Sequence, residues 1–173
     1  MANLLKIRWM FALIILVVLT QKSIIDGENI VNRHHIKRHY KEIKYPTPNY
    51  DKNKINEVLG VVLHHTAEPT IEKSLFILSS PVKRVGTHVV IDTDGTRYVM
   101  ADPTVVTYHA GHSILKGRES CNYFTIGIEF QGNTLVSPLT DHQIASGIEY
   151  LLPILSKYKI PLDNIVTHEF FTD

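Results

Sequence analysis

Two histidines stand where the sequence could place a metal ion. His64 follows the apolar run Val61–Leu63, and His168 follows a similar run, Ile165–Thr167. If both runs are adjacent strands that end at one edge of a sheet, the two imidazoles could bind one metal, for which neutral imidazole is a common ligand. Spacing alone leaves another interpretation open, in which both histidines are partly buried and hydrogen-bonded to backbone carbonyls.

A glutamate adds a second kind of chemistry. Glu129 lies inside the apolar run Thr125–Phe130, where an unpaired carboxylate would be costly to bury. A position facing a metal-bound water would explain it, because burial raises the pKa of a carboxylate toward neutrality, where it can take a proton and return it. A structural salt bridge to a lysine or arginine is the alternative.

These residues need strands to position them. Runs rich in β-branched residues predict strands over 61–65, 87–91, 124–130 and 165–168. The dipeptide Asp94-Gly95 predicts a hairpin between Ile91 and the run Tyr98–Met100. Strands mixed with helices, with nearly continuous apolar strands, predict an α/β fold: a mixed central sheet covered on both faces.

Two helices are expected to cover that sheet. Thr140 and Gln143 form a capping-box pattern at the start of a helix predicted to reach Tyr158. Its apolar residues at helical spacing are Ile144, Ile148, Leu151, Leu152 and Leu155. Pro153 is expected to kink or interrupt this helix. A shorter helix is predicted over 71–79.

Composition narrows the class of protein. With 173 residues, 44% of them hydrophobic and 20% charged, the chain has the balance of one globular domain with extra segments. A net charge of +1 gives no signature of nucleic-acid binding. The single cysteine, Cys121, cannot form an intramolecular disulfide, so stability must come from core burial and any bound metal.

The amino-terminal part predicts export to the periplasm or outside. Lys6 and Arg8 precede the apolar run Trp9–Leu19, as in a secretory signal, so residues 1–22 are interpreted as a signal peptide. The run would rise only about 16 Å as a helix, roughly half of a hydrocarbon core. Because no small-residue cleavage site follows, an uncleaved anchor with membrane association is the alternative.

Residues 23–44 are polar and basic and are interpreted as a solvated linker. They contain His34, His35 and His39, which no regular element is expected to hold in one geometry. A surface of this charge could also contact anionic headgroups or wall polymers. The folded domain is predicted to cover 45–173, beginning at Tyr45–Tyr50, where two prolines favour an extended backbone.

Several stretches together resemble one family. These stretches are Pro48–Asp51, Val62–Thr66, Tyr108–Ser113, Cys121–Phe130 and Val166–His168, and they stand in the family's order. In them the chain is similar to the zinc-dependent N-acetylmuramoyl-L-alanine amidases, which share their fold with peptidoglycan-recognition proteins and phage lysozyme-type amidases.

The resemblance implies roles for individual residues. His64 and His168 match the zinc ligands, and Glu129 matches the carboxylate that activates the attacking water. His109 matches a motif that lines the substrate groove, and His88 matches a strand position beside the site, although a packing role is an equal alternative for both. His65 and His112 are then ordinary groove or surface residues. The implied protein is a monomeric zinc hydrolase of peptidoglycan or muropeptides.

One part of the family pattern is expected beyond His168. The family places a third ligand, Asp or Cys, about ten residues after the second histidine, near a lysine that stabilises the oxyanion. Only five residues follow His168 in this sequence, so the amidase domain is expected to be incomplete at its carboxyl end. A non-catalytic peptidoglycan-binding module and an inactive fragment are the alternative functions.

Overall fold

A computed structural model describes residues 40–168. The predicted signal or anchor over 1–22, the linker histidines and the last five residues lie outside this part of the chain. The described residues build one six-stranded sheet and two small two-stranded sheets. Their strands are β1 (Glu42–Lys44), β2 (Tyr50–Ile55), β3 (Gly60–His65), β4 (Val89–Ile91), β5 (Arg97–Val99), β6 (Val105–Thr107), β7 (Ile114–Leu115), β8 (Arg118–Glu119), β9 (Thr125–Phe130) and β10 (Ile165–Thr167).

The large sheet has the strand order β1-β5-β4-β9-β3-β10. Strands β4 and β5 are antiparallel and form the hairpin predicted at Asp94-Gly95, whereas the other neighbouring pairs are parallel. Strands β2 and β6 pair in one small sheet, and β7 and β8 in the other. The prediction of a mixed α/β sheet is therefore confirmed.

The two faces of this sheet bury different residues, because successive side chains of a strand point to opposite sides. On one face, Val61, Leu63 and Ile128 pack with the long helix α2 (Asp141–Tyr158). On the other face, Val90 packs with the short helix α1 (Ile71–Ser79). His64 and Glu129 also belong to this second face, because they are the neighbours in sequence of Leu63 and Ile128, whose side chains lie on the first face.

Helix α2 begins with the predicted capping box. The Thr140 hydroxyl accepts from the Gln143 amide at 3.1 Å, and the Gln143 side chain accepts from the Thr140 amide at 3.0 Å. The Thr140 hydroxyl also donates to the carbonyl of Thr93 at 2.6 Å, which ties the helix start to the β4–β5 hairpin.

Two sequence predictions differ from the structure in the bounds of elements. Of the kink or interruption expected at Pro153, the interruption is not found, since α2 runs from Asp141 to Tyr158 through the proline, with Leu151, Ile154 and Leu155 on either side buried in the core. The predicted linker also ends too late: Glu42–Lys44 forms the edge strand β1 on β5. Only Ile43 of that strand is partly buried, and its two neighbours are exposed. The strand therefore has the polar composition of a solvated segment.

Two further observations concern the remaining sequence predictions. Cys121 is a buried free thiol among the described residues. None of the helices in the range 40–168 is both long and apolar enough to cross a membrane.

We expect Thr140→Ala to lower the free energy of unfolding by about 1–2 kcal/mol, since it removes a capping acceptor and the hydrogen bond to Thr93. Chemical denaturation monitored by circular dichroism measures the change. Thr140→Ser is the matched control, because it keeps the hydroxyl and should lose much less. Equal midpoints for Thr140→Ala and the parent would contradict this role of the cap.

Candidate active site

Parallel strand pairing sets three chemically active side chains in a row. In the register of β3 with β9, His64 lies opposite Glu129. In the register of β10 with β3, Thr167 lies opposite Leu63, so the next residue, His168, comes beside His64. The prediction that the two histidine strands are neighbours ending at one edge is confirmed, and the site they form is built from three adjacent strand ends.

The two histidines differ in exposure. The ring centroids of His64 and His168 are 5.2 Å apart, with the ring planes tilted by 54°. His64 is only 6% exposed, whereas His168 is exposed. Burial, with smaller effects from the neighbouring His168 and His65, lowers the pKa of His64 to about 3. His64 is therefore neutral at physiological pH, which is the form that binds a metal.

Glu129 has the environment of a proton-transfer group. Its Oε2 atom is buried and has no hydrogen-bond partner among the described residues. Burial raises the pKa of its carboxyl to about 8. None of the ion pairs within residues 40–168 includes Glu129, so the salt bridge considered as an alternative is not formed there. The free oxygen is placed for a ligand or water in the groove.

His109 lies in the groove against His64. Its Nδ1 atom is 3.1 Å from Nε2 of His64, and the two rings meet edge to face. Burial is the main reason why the pKa of His109 lies well below its usual value. Gly127 makes this position possible, because a Cβ atom there would lie 2.5 Å from Cγ of His109. No separate sequence signal marks this role of Gly127, because the residue lies within an apolar strand pattern.

The structure does not place His88 on the groove. Its side chain is fully buried, and Nε2 donates to the carbonyl of Val105 at 2.8 Å. Nδ1 accepts from the Gly127 amide at 3.0 Å and faces the Thr107 hydroxyl at 3.1 Å. Both ring nitrogens are thus engaged in the core, and the predicted substrate contact is replaced by the packing role that was its alternative.

A groove of about 650 Å³ opens above these residues. Its floor includes His64, His109, Glu129 and His168. Its walls come from α1 with the loop that follows and from the loop after β9, and they include Ile77, Leu78, Arg84, Val85 and Leu135. His65 also lines the groove and contacts the Thr134 hydroxyl, whereas His112 is exposed.

One residue that the sequence analysis did not assign holds a wall of this groove. The side-chain amide of Asn49 lies within hydrogen-bonding distance of three carbonyls, those of Leu78 (3.1 Å), Ser80 (2.9 Å) and Val85 (2.6 Å). Asn49 is buried, and it fixes the end of α1 and the loop 80–86 relative to the strand entry. Its place in the matched stretch Pro48–Asp51 was the available signal.

The described residues supply some of the donor groups that a metal site needs. Within residues 40–168, no group of three or more His, Cys, Asp or Glu side chains is arranged to hold a metal. His64 and His168 provide two imidazole donors at adjacent strand ends, and the unpartnered Oε2 of Glu129 lies on the next strand. This set suits two ligands and a carboxylate directed at water.

Comparisons with known proteins agree with this geometry. Residues 54–173 match the family model described as N-acetylmuramoyl-L-alanine amidase. The 1,6-anhydro-N-acetylmuramyl-L-alanine amidase AmpD of Haemophilus influenzae is 42% identical over 88 residues, which cover 49% of this chain and 46% of AmpD. The Enterobacter cloacae AmpD is 38% identical over 77 residues, covering 44% and 40%. The matched part thus spans less than half the length of these relatives.

Solved structures share the fold. A selenomethionine derivative of AmpD superimposes with a TM-score of 0.66 at 22% identity, covering 83% of this chain and 88% of that one. The Escherichia coli amidase AmiD, in complex with anhydro-N-acetylmuramic acid-L-Ala-D-γ-Glu-L-Lys, gives a TM-score of 0.60 at 22% identity, with coverage of 84% and 56%. At this level of identity the likeness concerns the architecture.

We expect the metal-free protein to lose about 1–2 kcal/mol of stability between pH 6.5 and pH 8 through Glu129. The folded state keeps this carboxyl protonated up to a pKa of about 8, whereas in the unfolded chain the ordinary value is 4.5. The folded state therefore binds more protons in this range, and stability falls as the pH rises.

Denaturant unfolding of the zinc-free parent and of Glu129→Gln at both pH values measures this difference. Glu129→Gln should not show the loss of stability between the two pH values that comes from this carboxyl. Glu119→Gln, which changes an exposed glutamate, should show the same loss as the parent. The lowered pKa of buried His64 changes the pH dependence of stability mainly below pH 6.5. Parallel pH profiles for the parent and Glu129→Gln would contradict the raised pKa.

Proposed function

This chain belongs to the N-acetylmuramoyl-L-alanine amidase family, and on that premise we propose that it hydrolyses the amide between the lactyl group of N-acetylmuramic acid and L-alanine. The observation that carries the proposal is the row of Glu129, His64 and His168 on adjacent parallel strand ends at the floor of one groove. The substrate class is peptidoglycan or the muropeptides released from it.

The proposed cofactor is zinc, held by His64 and His168. Zinc bound there would supply a Lewis acid for the amide carbonyl, lower the pKa of a nearby water toward 7 and favour the ionised form of Glu129. His64 is suited to this role because its ring is buried and neutral. His168, the second proposed ligand, is exposed and follows the edge strand β10.

Glu129 is the proposed general base and acid. Its unpartnered Oε2 takes a proton from the water that attacks the amide carbon. The same carboxyl then gives this proton to the nitrogen of the departing L-alanine, whose bond to the lactyl carbon breaks. The products are a sugar with a free lactyl carboxylate and a stem peptide with a free amino terminus, and Glu129 returns to its starting state.

The groove suits a ligand of this kind in size and lining. Its volume of about 650 Å³ falls within the range typical of small-molecule sites. The apolar side chains of Ile77, Val85 and Leu135 can cover the non-polar parts of a sugar and a short peptide, and Arg84 offers a cation on the wall. The AmiD structure is a complex with an anhydro-muramyl tripeptide of this class, and we propose the same class here.

A peptidoglycan-binding module without hydrolysis is the second candidate function. It is favoured by one observation, that within residues 40–168 no group of three or more His, Cys, Asp or Glu side chains is arranged to hold a metal. The test is incubation of the full chain with purified anhydro-muropeptide and added zinc. Release of free stem peptide supports the amidase, and saturable binding without release supports the binding module.

Export is part of the same proposal. A substrate class found in the cell wall accords with a secretory signal in the segment Lys6–Leu19, which lies outside the described residues. Fractionation of cells that express the full chain tests it, because the protein should leave the cytoplasm. Anchoring to the membrane is the alternative outcome for an uncleaved segment.

We expect Glu129→Gln to reduce kcat/KM for stem-peptide release by at least about 100-fold while the zinc content stays near that of the parent. The amide cannot accept the water proton, yet the two proposed ligands are unchanged. His64→Gln should lose both zinc and turnover, and Glu119→Gln should keep both. Zinc loss in Glu129→Gln equal to that in His64→Gln would show that Glu129 is a ligand.

A further inference from the structure

The contact between His109 and His64 contains a single proton that can be located. Nδ1 of His109 and Nε2 of His64 are 3.1 Å apart, so one of them donates and the other accepts. A ring nitrogen that accepts carries no proton, and burial of His64, which is 6% exposed, disfavours its doubly protonated, charged form, so each ring is treated as neutral with one N–H. The question is which of the two facing nitrogens carries its ring's proton.

The surroundings of the other ring nitrogen of His109, Nε2, locate the proton of that ring. Nε2 of His109 faces two oxygens of Thr125, the carbonyl at 3.4 Å and the hydroxyl at 3.3 Å. The carbonyl can only accept, and the hydroxyl already donates its proton to the carbonyl of Cys121 at 2.7 Å. An unprotonated Nε2 would then face acceptors alone, so the proton of His109 lies on Nε2 and its Nδ1 is bare.

The tautomer of His109 determines the tautomer of His64. A bare Nδ1 on His109 accepts, so Nε2 of His64 carries the proton and donates to it. Within residues 40–168, the other nitrogen of His64, Nδ1, makes no hydrogen bond. We propose that His109 is a positioning residue that holds His64 in the Nε2–H tautomer and so presents Nδ1 of His64 as the ligating nitrogen of the site.

His109 is fixed firmly enough to do this. Its backbone amide and that of Ala110 both donate to Oδ1 of Asn122, at 3.0 and 2.8 Å. Its ring lies directly over Gly127, where no side chain interferes. The ring of His88 packs against it from beneath, with centroids 5.7 Å apart. His109 thus acts on the metal site through His64, which differs from the substrate contact expected from the sequence.

The direct test is the tautomer of His64 in the full-length, zinc-free protein. Long-range proton–nitrogen NMR spectra of the nitrogen-15-labelled chain near pH 7 distinguish the two tautomers, and His64→Gln assigns the signal. We expect the Nε2–H form in the parent. Predominance of the Nδ1–H form would overturn the proposal, and this measurement needs no folded variant of His109.

Two variants test whether His109 is the cause. His109→Ala removes the acceptor, so His64 should populate both tautomers and zinc affinity should fall by about 10- to 100-fold. His109→Asn can place its Oδ1 where Nδ1 was and should restore most of both properties. His112→Ala, which removes an exposed histidine of the same loop region, is the matched control and should resemble the parent.

The proposal is overturned if a folded His109→Ala variant keeps the His64 tautomer and the zinc affinity of the parent. Zinc competition with a chromogenic chelator gives the affinity, and a cooperative melt confirms folding. The ligation part of the inference rests on the proposed zinc site, but the two can fail separately. Absence of stem-peptide release by a parent that binds zinc and shows the expected tautomer would refute the amidase proposal and support the role of His109.

Discussion

The parallel pairing of β9, β3 and β10 is the constraint on which the rest of the site depends. Parallel strands end at the same edge, so one register brings Glu129, His64 and His168 side by side without any loop having to position them. The adjoining residues Val61, Leu63 and Ile128 anchor the same strands in the core against α2. Burial of that face holds the strand register, and the register aligns the chemistry on the other face.

That arrangement places a basic imidazole, His64, and an acidic carboxyl, Glu129, together in a region of low polarity. Burial favours the neutral form of each, so it lowers the pKa of His64 and raises that of Glu129. Without a bound cation, the buried part of the site holds the neutral ring of His64 and one protonated carboxyl, that of Glu129. Oε2 of Glu129 is a buried atom without a hydrogen-bond partner among the described residues, and a functional position at this strand end explains why it is left so.

The sequence predicted the parts of the fold that are apolar and locally signalled. The strands around His64 and Glu129, the hairpin at Asp94-Gly95 and the capping box at Thr140 all follow from local patterns. Strand β2 was not predicted, since Tyr50–Ile55 is charged and mostly exposed, and its pairing with β6 depends on distant residues. Local spacing also could not separate the groove residue His109 from the core residue His88, because their difference arises from tertiary packing alone.

Asn49 shows that the shape of the groove is controlled from outside it. The side chain bridges the strand entry to three carbonyls around loop 80–86, whose residues form one wall. A substitution at Asn49 would therefore leave every group that faces the ligand intact and still alter the clearance between the walls. Divergence in ligand selectivity among related chains could thus arise at a buried amide that never touches the ligand, acting as a spacer.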